Sequence, residues 1–165
     1  MRAAARDRGL GSPLSFIPIH KEQDMFGFFK NPHASNDAAL VKQALGPHVA
    51  VIVSASCCVQ GTADTDAKVD AVVQSALKKA GRDWPVLTVT VTQAQSTLGT
   101  IARELDEAQS QVAREVSELF ATTGLSAFPV LIVDQHIVSY GGVPGEALVT
   151  DALNRNRQVS HENAA

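Results

Sequence analysis

Val49 to Val53 is a run of five apolar residues between His48 and Ser54. Rich in β-branched side chains, it predicts a strand from Val49 to Ala55 buried on both faces of a sheet. The period then changes. Val69, Val72, Val73, Ala76 and Leu77 recur three and four apart. That spacing predicts a helix from about Asp64 to Ala80 with one buried stripe, stopped by Gly81. Val and Thr alternate from Val86 to Thr92, as in a strand covered unequally on its two faces. Helical spacing returns at Leu98, Ile101, Leu105, Ala108, Val112, Val116 and Leu119. It predicts one long helix from about Thr97 to Thr122, bent near Gly99 and ended by Gly124. Two short strands follow, Val130 to Val133 and Ile137 to Tyr140, joined by the tight turn Asp134-Gln135-His136. Gly141-Gly142 breaks the second, and Pro144 suits the first turn of a last helix reaching about Asn154. Ahead of all these, residues 36–45 (NDAALVKQAL) predict a short helix capped by Asn36 or Asp37 and stopped by Gly46-Pro47.

The order β-α-β-α-β-β-α, with an extra N-terminal helix, belongs to the α/β class. Two crossover helices imply parallel pairing, and the short turn between the last two strands implies a hairpin. The expected architecture is a four-stranded mixed sheet with helices on both faces. One domain spans 25–155, after a disordered tail over 1–24 rich in Arg, Gly, Ser and Pro and before a frayed tail over 156–165. Met25 is a candidate biological start, and MFGFFK after it a candidate apolar anchor.

Composition narrows the function. The chain has 165 residues, 45% of them hydrophobic, and a net charge of −3. That hydrophobic share supports a real core, while the charge argues against nucleic acid as a partner, which needs a basic face. No apolar run reaches the length of a membrane span, and Pro13 and Pro18 interrupt the N-terminal apolar patch where a secretory signal needs continuity. A cytoplasmic location is expected, where a cysteine pair is more often catalytic, redox-sensing or metal-binding than a structural disulfide.

The only two cysteines, Cys57 and Cys58, are adjacent. They fall where the first strand gives way to a helix, with Gly61 and Thr62 marking the helix start. Thiols at a helix N-terminus meet unpaired N–H groups and the positive end of the dipole, which favours thiolate. Neighbouring side chains in an extended segment point opposite ways, so one thiol is expected to be buried and Cys58, nearer the helix, exposed. The plain alternative is two small buried residues, since free cysteine packs like a hydrophobe.

The element order, cysteine after the first strand, and the run LFATTGLSAFPVLIVDQHIVSYGG together resemble the thioredoxin superfamily over residues 48–154. The resemblance implies a cis proline at Pro129, after Phe128, beside the cysteine site. It implies a partner groove at Phe128 and Pro129, for which Ser56 and Gln60 are candidate lining residues, each equally able to satisfy loop backbone. Within the superfamily, CCVQGT before an acidic helix start is similar to the arsenic metallochaperone and repressor family of arsenical-resistance operons, whose vicinal cysteines Cys57 and Cys58 match. That family's third cysteine has no counterpart in Gly61-Thr62-Ala63-Asp64. The Cys-x-x-Cys of thioredoxins is also absent: Gln60 and Gly61 stand at the resolving positions, and Ala55 and Ser56 replace the preceding aromatic residue.

The first functional expectation is a thiol protein whose Cys57–Cys58 pair binds a soft metal or metalloid, such as Cu(I), Zn or As(III), or forms mixed disulfides with a thiol protein or glutathione. Two thiols per chain leave a closed metal site in need of a partner or a homodimer. The second is a monothiol-type oxidoreductase resolved by glutathione or by the neighbouring cysteine. The third is a non-catalytic interaction module. Other residues add little. His20, His33, His48, His136 and His161 have no mutual metal-ligand spacing. Ser54 and Ser56 could donate to a thiolate or satisfy loop backbone. Asp64 and Asp66 read as first-turn acids, and Trp84 as packing for an edge loop.

Overall fold

The computed structural model describes residues 32–162, and side chains over residues 36–155. The expected tail over 1–24, the Met25 start and the MFGFFK anchor lie outside the described residues.

Among the described residues a four-stranded mixed sheet carries five α-helices. In chain order these are α1 (Pro32–Ala44), β1 (Ala50–Ser54), α2 (Thr62–Ala80), β2 (Val86–Thr90), α3 (Val91–Ile101), α4 (Glu107–Thr123), β3 (Val130–Val133), β4 (His136–Tyr140) and α5 (Glu146–Glu162), with short 3₁₀ turns at Ala102–Glu104 and Gly124–Ala127. The spatial order is β2-β1-β3-β4. β1 and β3 are the two central strands, each buried along its whole length. Their side chains alternate between two cores. Val51, Val53, Val130 and Ile132 face one layer with residues of α1, α3 and α4, while Ala50, Ile52, Leu131 and Val133 face the other with residues of α2 and α5. A strand roofed by helices on both sides needs apolar residues at every position, which is why β1 and β3 read as unbroken apolar runs.

Three expectations about pairing and length are corrected. Only β1 and β2 pair in parallel, with Ile52 opposite Thr88. β3 runs antiparallel to β1, with Val53 opposite Val130. The helical stretch between β2 and β3 is long enough to turn back twice, so it does not enforce a parallel crossover. That stretch is also two helices. Ile101 ends α3, Leu105 is extended, and Asp106 starts α4 with a capping box, its carboxylate accepting from Gln109 N–H while Gln109 returns a bond to the Asp106 backbone. The reciprocal cap makes a new helix start cheaper than a continued helix, although apolar spacing runs through the break. α5 continues to Glu162 rather than ending near Asn154.

The β3–β4 hairpin turns on Asp134 and Gln135, both with positive φ (49° and 65°), the geometry of a two-residue turn matched to strand twist. Asp134 Oδ1 accepts from His48 N–H at 2.7 Å, and Gln135 Nε2 donates to Leu45 O at 3.0 Å. These bonds fasten the turn to the chain entering β1. At the same end of the sheet Trp84 packs edge-on against His48, 5.3 Å between rings, under the Arg82 guanidinium.

Candidate functional site

β1 ends at Ser54, and the next residues fold back at once. Cys58 N–H and Val59 N–H both donate to Ala55 O, at 2.8 and 2.9 Å. This turn lifts Cys57 and Cys58 out of the sheet, and both are free and exposed. Neither is in the first turn of α2, which starts only at Thr62 after Gly61 in the left-handed region (φ 85°). The expectation of one buried thiol fails for the same reason: the segment is a tight turn, and its side chains do not alternate as in a strand.

The helix terminus that meets the thiols belongs to α3. Cys57 Sγ lies 3.2 Å from Thr92 Oγ1, and Cys58 Sγ 3.8 Å from the same oxygen. The two sulfurs are 3.0 Å apart. Thr92 is the second residue of α3, and its backbone N–H adds to the lowering of the Cys57 thiol. The thiol of Cys57 is lowered from 9.0 to about 7, chiefly by the Cys58 S–H donated to it, then by the Thr92 hydroxyl, then by the Thr92 N–H. Cys58 moves the opposite way. Its thiol is raised because its proton is the one donated to Cys57 and because a Cys57 thiolate repels a second negative charge. The two thiols thus shift in opposite senses, Cys57 toward the thiolate and Cys58 toward the protonated form.

Sequence reasoning placed Thr92 at the end of a strand. A legible signal pointed elsewhere. Thr90-x-x-Gln93 is a capping box, with Gln93 N–H donating to Thr90 Oγ1 at 3.2 Å and Thr90 N–H to Gln93 Oε1 at 3.0 Å. It starts α3 at Val91 and leaves Thr92 N–H unpaired within the helix, aimed at Cys57.

Ser54 and Ser56 do not serve the thiols. The fully buried Ser54 hydroxyl donates to Asp66 Oδ2, and its oxygen accepts from Ser56 N–H at 3.0 Å. The Ser56 hydroxyl is 2.8 Å from Ser54 Oγ. Asp66 thus ties α2 to the end of β1 rather than acting as a plain first-turn acid. Its Oδ1 is buried without a hydrogen-bond partner among the described residues.

Pro129 follows a cis peptide bond after Phe128. Because Val130 stands opposite Val53, Pro129 adjoins the end of β1 from which the cysteine turn departs. Phe128 and Pro129 are buried, whereas Ser56 and Gln60 are exposed on the turn itself. Phe128 packs against Phe120, 5.9 Å between ring centres.

No family model, curated protein or solved structure matches this chain.

Among the described residues no three His, Cys, Asp or Glu side chains gather as a metal site. Among the described residues the site thus offers a soft ion two sulfurs, a donor type that suits Cu(I), Zn or As(III). No described helix is long and apolar enough to cross a membrane.

Proposed function

We propose that this chain is a thioredoxin-like thiol protein that reacts through Cys57 and forms reversible mixed disulfides with a thiol-containing protein or glutathione in a reducing, cytoplasmic setting. The observation that carries the reading is an exposed pair of sulfurs 3.0 Å apart in which Cys57 stands nearer the Thr92 hydroxyl, 3.2 Å against 3.8 Å for Cys58; these contacts lower the Cys57 thiol to about 7 and raise Cys58. A thiol near neutral pKa combines a useful thiolate fraction with good nucleophilicity at physiological pH. In the step we envisage, Cys57 thiolate attacks one sulfur of a disulfide. A Cys57–S bond forms, the original S–S bond breaks, and the departing thiolate takes a proton from water. An incoming thiol then attacks the sulfur bonded to Cys57 and restores the Cys57 thiolate. Cys58 is the donor that steadies Cys57, so an external thiol such as glutathione is the natural resolving group. This makes the chain a monothiol-type exchanger, in keeping with the missing Cys-x-x-Cys.

Soft-metalloid binding is a second reading, favoured by two exposed sulfurs 3.0 Å apart on one turn. A trivalent arsenical would bridge both sulfurs, with a third ligand from solvent, a partner or a second copy of the chain.

Intact-mass kinetics with oxidised glutathione test the first reading. The wild type and Cys58→Ser should each gain one glutathione, and Cys57→Ser should gain it about fivefold more slowly at pH 7, since the greater nucleophilicity of Cys58 offsets part of its smaller thiolate share. Equal rates for the two serine variants would overturn the assignment of Cys57. For the second reading, phenylarsine oxide should bind one per chain, and either serine variant should lose the binding, since one thiolate cannot chelate.

A further inference from the structure

Between α3 and α4 lies an apolar cavity of about 190 Å³ that the exchange chemistry does not use. Its inner end is Val53, Val91 and Phe128, all buried; Leu98, Val116 and Phe120 form its sides. Exposed Gln95 and Ser117 stand at its mouth. Leu98 and Ser117 also line a second groove of about 360 Å³ along the same helices, past Ala102, Leu105 and Ala113. Arg114 and Glu118 at its rim cancel in charge, so the groove selects no net charge. Val91 immediately precedes Thr92, whose hydroxyl touches Cys57 Sγ, and Val53 is the strand residue opposite Val130. Gln95 at the mouth is one helical turn after Thr92 on α3, so the opening of the cavity and the residue that touches Cys57 share one helix face. For scale, a dry apolar cavity of roughly 150 Å³ admits benzene.

We propose that this channel is a substrate subsite, and that Cys57 acts preferentially on neutral sulfur electrophiles whose reacting sulfur carries a linear apolar chain, which lies between α3 and α4 while the sulfur meets Cys57. The inference rests on Cys57 being the nucleophile. The substrate is a disulfide R–S–S–R′ with apolar R. Cys57 thiolate bonds to the R sulfur, the S–S bond breaks, and R′ leaves as thiolate. Burial of R slows its diffusion away and raises the rate of capture.

The test uses alkyl methanethiosulfonates on the full chain, read by peptide mapping at Cys57. Cys57 thiolate attacks the alkyl-bearing sulfur, an S–S bond forms, and methanesulfinate leaves with the electron pair. Rates with methyl and hexyl reagents are measured alongside free glutathione, which supplies the intrinsic chain-length effect. Full burial of one methylene is worth about fourfold, so a partly buried hexyl chain should raise the hexyl-to-methyl ratio at least tenfold above that of glutathione. Leu98→Gln and Ala94→Leu, which make the channel polar or fill it, should cut that ratio at least threefold while the methyl rate holds, the methyl rate reporting an intact thiol site. A wild-type ratio equal to glutathione's overturns the subsite and leaves the nucleophile standing. A slow Cys57 with every reagent, matching an ordinary thiol, overturns the nucleophile as well.

Discussion

Replacing Thr92 by Val removes the hydroxyl 3.2 Å from Cys57 Sγ and keeps the side chain's shape and the backbone N–H. The Cys57 thiol sits about two units below 9.0, and the Thr92 hydroxyl is the second of the causes, behind Cys58 and ahead of the Thr92 N–H. Both sulfurs are exposed, so solvent screens each bond. The hydroxyl's share is then about 0.5 to 1 unit, and Thr92→Val should move the Cys57 midpoint from about 7 to about 7.5–8. At pH 7 the thiolate share falls from about half to between about a quarter and a tenth. The midpoint is the proper readout, because thiolate nucleophilicity rises with pKa and offsets much of that loss at pH 7. With a Brønsted slope near 0.4–0.5, the limiting rate at high pH should rise about two- to threefold.

The assay is the rate of iodoacetamide alkylation at Cys57 from pH 5.5 to 10, with the modified peptide identified by mass. Thr92→Ser keeps a hydroxyl on the same backbone position and should leave the midpoint close to that of the wild type. If Thr92→Val leaves the midpoint within 0.2 units, the hydroxyl does not hold the thiolate, and the asymmetry of the pair has another source.

Removing one thiol should shift the other in a predictable sense: Cys57→Ala should bring Cys58 down toward the ordinary value, since the repelling thiolate is gone, while Cys58→Ala should raise Cys57 more than Thr92→Val does, since Cys58 is its leading donor; alkylation profiles of the two variants check both directions. Because the Cys57 thiol is lower in the folded chain than in the unfolded one, its stabilising effect is present above the unfolded value and is lost as pH falls through about 7. The melting temperature of the wild type relative to Cys57→Ala should therefore rise between pH 6 and pH 8.5, and a flat difference would contradict the shift. Ser54→Ala should destabilise the chain by about 1–3 kcal/mol in urea titrations, because it strips Asp66 Oδ2 and Ser56 N–H of a buried partner. Ser56→Ala, at an exposed position, should cost less than half as much, and equal costs would refute the role given to the buried hydroxyl.

What could be read from the sequence follows from how far each signal reaches. The cores of β1, β3 and α2 were legible because burial on one or two faces imposes a period on neighbouring residues, as in Val69, Val73, Ala76 and Leu77. The break between α3 and α4 was missed because apolar spacing from Leu98 to Leu119 continues through it. The decisive residues there, Asp106 and Gln109, are polar and act on backbone N–H groups, which a hydrophobic period does not register. The direction of β3 was missed for a related reason. Helix content between two strands sets a minimum span but not the number of reversals, and two helices return the chain where one would cross it.

The site shows the same limit at closer range. Adjacent cysteines beyond a buried strand marked the place, yet the partner that sets their chemistry is more than thirty residues on. Reasoning along the chain assigned the thiols to the helix that follows them, α2. The sheet order instead puts β2 beside β1 in parallel, with Ser54 opposite Thr90, so both strands end at one edge. The turn after β1 and the first residues of α3 are therefore neighbours, and Thr92 reaches Cys57 across the gap between strands. A helix N-terminus directly following a parallel neighbour strand is thus the nearer source of unpaired N–H groups whenever the strand's own helix is delayed by a turn. Gly61 supplies that delay. Its left-handed backbone ends the turn and starts α2 four residues after Cys58, in Thr62, leaving the thiols to the α3 terminus alone.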